Sequence, residues 1–205
     1  MKSVVVTVLV TFLAWVVVAI PALADHMNPD DMQVLIEFYK STNGDGWVYK
    51  GGWLNSSTHN WQGVELNDEG RVTGLYLSYN GLSGFIPNSL GSLSQLTSLD
   101  LSNNQLSGTI PDSLGNLSQL TSLFLSNNQL SGAIPKSLTN MTKLSTLDIS
   151  GNQFSGPIPE SLTQLVQENS NRNSLGYAFL VLYLVAPLLF IGLLIIIWLQ
   201  ITKGA

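Results

Sequence analysis

The chain has 205 residues and a formal net charge of −5, from 8 Lys and Arg against 13 Asp and Glu. That acidic balance argues against a nucleic-acid groove, which needs clustered Lys and Arg. Zero cysteines exclude disulfides, a thiolate nucleophile and Cys-based metal sites, and only His26 and His59 remain as imidazoles. Charged residues are 10% of the chain, against roughly 25% in a typical soluble domain. The dilution is local, because residues 3–24 and 175–202 carry no acid or base.

In chain order, residues 1–24 come first. Lys2 precedes an uncharged run from Val4 to Ile20, Pro21 breaks it, and Ala22-Leu23-Ala24 places small residues at alternate positions. This is the layout of a secretory signal cleaved after Ala24, with an uncleaved signal anchor as the other reading of the same residues. Residues 25–71 open with Asn28-Pro29-Asp30-Asp31, which predicts a helix with an N-cap, proline at its first position and acids against the dipole. Met32, Leu35, Ile36 and Tyr39 then share one face at helical spacing. A Gly-rich stretch follows with Trp47, Trp53 and Trp61, expected as packing bulk rather than a ligand platform.

Residues 72–167 repeat every 24 residues, in four copies starting at Val72, Leu96, Leu120 and Leu144. Internal recurrence of this kind overrides window-by-window secondary structure. Leu75, Leu99, Leu123 and Leu147, with Leu77, Leu101, Leu125 and Ile149, alternate with polar positions as half-buried strands do. Leu82, Leu106, Leu130 and Phe154 join these ladders, as do Ile86, Ile110, Ile134 and Ile158 and then Leu90, Leu114, Leu138 and Leu162. No single copy can bury such residues alone, so stability comes from stacking. Asn80, Asn104, Asn128 and Asn152 are expected to turn inward, where an amide satisfies backbone donors and acceptors together. Gly84, Gly108, Gly132 and Gly156 supply unusual backbone angles, and Pro87, Pro111, Pro135 and Pro159 fix an extended segment that needs no donor.

With its LSGxIP signature, which the fourth copy varies to FSGPIP, the array resembles the leucine-rich repeat family in its plant-type form. The resemblance implies an α/β solenoid: a right-handed coil closed by an N-terminal helical cap, to which residues 25–71 with their WxGV motif are similar. There the family commonly carries cysteine, and Glu65 stands where the second would fall. This cap must therefore hold by packing.

After the array, Gln164 to Ser174 is polar, and residues 168–174 read as a juxtamembrane stalk with no comparable cap. Residues 175–201 form an uncharged run without a polar face, and predict one transmembrane helix. Pro187 and Gly192 interrupt it, and Tyr177 and Trp198 sit near its ends. A C-terminal lipid-anchor signal is the rival, but it wants a polar spacer that is missing here. Residues 202–205 are then a cytoplasmic tail too short for a signalling domain. The expected location is the plasma membrane, single-pass, with the repeats outside.

If the strands line the inner curve, the outward column Tyr76, Asp100, Phe124 and Asp148 varies between aromatic and acidic, which a purely structural column would not require. Together with Tyr79, from the column Tyr79, Asn103, Asn127 and Gly151, these are the candidate ligand-binding residues. The column Ser78, Ser102, Ser126 and Ser150 reads as uniform polar surface. Asn55, Asn116 and Asn140 head N-x-S/T triplets and are candidate glycosylation sites.

Catalysis is poorly supplied. His26 borders the signal site and His59 lies in a loop, with no nucleophile elbow, phosphate loop or kinase motif, and no metal or cofactor is expected. The function expected is that of a receptor-like binding protein for an extracellular peptide, protein or glycan, with a lateral membrane signalling partner. The alternative is an enzyme inhibitor, adhesion or surface-structural protein of the same family.

Overall fold

Asn28 opens the described part of the chain as its neighbours dictate. In the computed structural model, which describes residues 27–55 and 60–166, its side chain accepts from the backbone N–H groups of Asp30 and Asp31. Pro29 takes the first position of helix α1 (Pro29–Ser41). The buried face of α1 is Asp31, Leu35, Phe38 and Tyr39. This differs from the expected stripe: Phe38 is fully buried, whereas Met32 and Ile36 are only partly covered. The helix is rotated because positions i, i+4 and i+7 from Asp31 face the first repeat, and Asp31 has a partner there.

Behind α1 the three tryptophans are all buried. Ring centroids run from Tyr39 to Trp47 at 5.0 Å, Trp47 to Trp53 at 4.8 Å and Trp53 to Trp61 at 4.8 Å. Trp47 Nε1 donates to the Thr42 carbonyl at 3.0 Å and Trp53 Nε1 to that of Gln62 at 2.9 Å. The Tyr39 hydroxyl donates to Asp45, and burial with that bond pushes its pKa above the usual 10.0. Aromatic packing thus holds this cap without a covalent link.

Each repeat then contributes a strand to one parallel array. The strands β2 (Val72–Tyr76), β4 (Ser98–Asp100), β6 (Ser122–Phe124) and β8 (Thr146–Asp148) pair in that order, and β1 (Val64–Leu66) adds antiparallel to β2. Leu75 lies against Leu99, Leu99 against Leu123 and Leu123 against Leu147, so the ladders stack in register. Leu101, in the neighbouring ladder with Leu77 and Leu125, is fully buried. Leu101→Ala is expected to cost about 2–5 kcal/mol in denaturant unfolding, because neighbours on both sides prevent collapse of the void.

A second sheet was not expected. The segments around Q-L-S-G in the middle copies, and their counterparts in the outer two, pair as β3 (Ser83–Phe85), β5 (Gln105–Gly108), β7 (Gln129–Gly132) and β9 (Gln153–Phe154). Gly84, Gly108 and Gly132 end or interrupt these strands at φ +95°, +80° and +78°, which turns the chain out of the sheet. The prolines that follow are extended, and their carbonyls start short 3-10 helices at Asn88–Ser92, Asp112–Asn116 and Lys136–Asn140. These stack into a ridge continued from α1. A methyl at Gly115 would collide with the Ser137 carbonyl of the next turn, which explains the glycine there.

The array thins out at its far end. Ile86, Ile110 and Ile134 are buried, but Ile158 is 36% exposed and Phe154 only partly covered. In place of the uncapped polar exit, residues 160–166 are helical, with Leu162 buried and Leu165 and Val166 packed on the core. Among the described residues no helix is long and apolar enough to cross a membrane. The expected leader at 1–24, the stalk at 168–174 and the span at 175–201 lie outside the described residues.

Candidate binding face

Alternation along a strand sends every second side chain to the open side of the five-stranded sheet. The parallel register then sets Tyr76 beside Asp100, Asp100 beside Phe124 and Phe124 beside Asp148. At ~4.8 Å per strand, the two aspartates stand about 9.6 Å apart with the Phe124 ring position between them.

Each aspartate is held by its own turn. Asp100 Oδ1 accepts from the Ser102 N–H at 3.0 Å and the Ser102 hydroxyl at 2.7 Å. Asp148 Oδ1 accepts from the Ser150 N–H at 3.1 Å and the Ser150 hydroxyl at 2.6 Å. The serine column is therefore not the uniform surface expected of it. Ser102 and Ser126 are buried, and Ser102 and Ser150 fix the carboxylates.

The next residue of each turn is left-handed: Tyr79 at φ +53°, Asn103 at +56°, Asn127 at +54° and Gly151 at +65°. Asparagine and glycine adopt this conformation readily, whereas a bulky aromatic is strained in it. Tyr79 is nevertheless there, 71% exposed. Together Tyr79, Asp100, Phe124 and Asp148 line a cavity of ≈ 320 Å³, with Asn103 and Asn127 on its rim.

Tyr76, the fifth candidate, is in register but turned elsewhere. Its ring folds back over Gly74, where an added methyl would meet it at 2.6 Å and Glu65 Oε2 at 2.8 Å. This explains why Gly74 replaces the Ser98, Ser122 and Thr146 of later repeats. Sequence reasoning missed Val48 and Tyr49, both exposed, whose backbone pairs with Asn80, the neighbour of Tyr79. No periodicity marks them, because they precede the repeats.

Asn116 and Asn140 are exposed at the ends of consecutive 3-10 helices, and Asn55 is exposed in the cap. A larger groove of ≈ 610 Å³ lies among the Ile-Pro loops around Ile110, Ile134 and Ile158, where the last repeat leaves its apolar column uncovered.

Family models described as leucine rich repeat match residues 71–93 and 101–154. Solved structures share the fold. The chain matches the PEPR1–AtPEP1 crystal structure at 33% identity and TM-score 0.57, over 66% of this chain and 20% of that one. It matches the ectodomain of the receptor kinase SOBIR1 from Arabidopsis thaliana at 29% and 0.57, over 68% of this chain and 76% of that one. The BIR3–SERK2 complex, also from Arabidopsis thaliana, matches at 33% and 0.54, over 66% and 77%. The chain thus spans only 20% of the length of the first of these. No curated protein matches it in sequence.

Proposed function

The chain belongs to the leucine-rich repeat family in its plant-type form, and from that premise we propose that it is a membrane-anchored extracellular binding module, a receptor-like protein. Its open strand face, concave in this family, receives a peptide, protein or glycan. The SOBIR1 ectodomain it resembles comes from a receptor kinase, and PEPR1 was solved with AtPEP1. The uncharged run at 175–201 would anchor it, with the leader at 1–24 directing export. The BIR3–SERK2 complex offers a parallel for a lateral partner. N-linked glycans at Asn55, Asn116 and Asn140 accord with their exposure.

One observation carries the binding reading: a strained, exposed Tyr79 beside Phe124, with aspartates in register on either side of the ring. Strain in a single copy of a repeated turn has no structural return that Asn103 and Asn127 do not provide without it. Tyr79→Asn should therefore raise unfolding stability by about 1 kcal/mol while weakening ligand binding. Phe124→Ala should likewise weaken binding at unchanged fold. Both are checked by isolating a ligand with the wild-type chain and titrating it against each variant. Unaltered affinity in both would refute the assignment.

A further inference from the structure

Resting on that reading of the strand face, we propose that its occupant is a basic, proline-rich extended segment with arginine or lysine side chains three residues apart. The apolar part of the surface comes first. Tyr79 and Phe124 line the cavity, and Val48 and Tyr49, both exposed, are bonded to Asn80, the neighbour of Tyr79. Val48 N–H donates to the Asn80 carbonyl at 3.0 Å and Asn80 Nδ2 to that of Tyr49 at 2.9 Å, so these two residues are fixed to the array. Rigid, exposed aromatic rings of this kind suit the stiff backbone and apolar rings of a polyproline segment, which loses little entropy on docking.

Charge restricts the partner further. The outward positions of the five strands carry Glu65, Asp100 and Asp148 and no lysine or arginine. The serine bonds hold both cavity carboxylates in place before any ligand arrives, which lowers the cost of ordering them. A cationic partner is favoured and an acidic one repelled.

Spacing decides the backbone form. A polyproline helix rises ~3.1 Å per residue with three residues per turn, so side chains at i and i+3 share a face about 9.3 Å apart. Two strand spacings separate Asp100 from Asp148 by about 9.6 Å. A β-extended peptide repeats at i and i+2, about 6.8 Å, and misses one of the two.

The test uses the full-length chain and labelled ten-residue neutral proline-rich peptides carrying Arg-Pro-Pro-Arg, Arg-Pro-Arg or Glu-Pro-Pro-Glu at their centre, followed by fluorescence anisotropy. The first should bind about tenfold more tightly than either of the others, and less tightly as salt rises. Asp100→Asn with Asp148→Asn should remove that advantage while the amide oxygens still accept from Ser102 and Ser150. Equal affinity for the arginine and glutamate peptides, an unchanged double variant, or no binding of any peptide overturns the inference. Phe124→Ala separates the two levels. If it abolishes a charge-independent binding, the strand face stands as the site and only the basic partner falls. If peptides bind and neither Phe124→Ala nor Tyr79→Asn changes anything, both fall.

Discussion

Asp31→Ala lowers the unfolding free energy by about 3–5 kcal/mol, measured by denaturant titration, the cost of removing one partner from a buried ion pair. Asp31 is 1% exposed, on the inner face of α1. Its Oδ2 accepts from Arg71 Nε at 2.9 Å and from the Val72 N–H at 2.8 Å, and its Oδ1 from Arg71 Nη2 at 2.9 Å. The fork-to-fork geometry ties the cap helix to the first strand of the array. Hydrogen bonding to Asp31 raises the Arg71 pKa against some desolvation, and because a guanidinium stays charged without such help, the arginine keeps its charge when the partner is lost. Asp31→Asn keeps an acceptor for Val72 and should cost less. A loss below about 1 kcal/mol for the alanine variant would rank the pair with exposed ion pairs and remove its clasping role.

Asn104→Leu is the second large effect, expected at about 2–6 kcal/mol from two backbone donors each left without a partner. Asn104 Oδ1 accepts from the N–H groups of Asn80 and Leu82, both at 3.0 Å. Its Nδ2 donates to the carbonyls of Leu77 at 2.9 Å, Leu101 at 3.0 Å and Ser102 at 3.1 Å. One amide thus bridges two repeats, and leucine has the volume but none of the bonds. Asn152 makes the internal control. Its Oδ1 accepts from one backbone donor, Leu130 N–H at 3.0 Å, where Asn104 accepts from two, so Asn152→Leu should cost less than Asn104→Leu. An unchanged melting temperature for Asn104→Leu would refute the inward bridge, and equal losses would refute the dependence on the number of backbone donors satisfied.

The asparagine column, the leucine ladders and the extended prolines were legible because a repeat tests each position four times. A residue type that recurs at one spacing must answer to the local backbone, and here the local backbone is also the packing. The same logic could have exposed Tyr79. Asn103, Asn127 and Gly151 already spell a left-handed position, and only the tyrosine departs from it. The second sheet escaped notice because Q-L-S-G has little strand propensity, and its pairing is imposed by the copies on either side.

Recurrence every 24 residues by itself determined that this chain stacks coil on coil, and which column faces inward, since no copy can bury its apolar residues alone. It also placed Tyr76, Asp100, Phe124 and Asp148 in one row, because strand register follows from the period. Only the tertiary structure decided that Tyr76 folds onto Gly74 while Tyr79 joins the cavity, and that Asp31 finds Arg71 forty positions away. Those outcomes depend on side chains from non-repeating segments, whose contacts no spacing along the chain encodes.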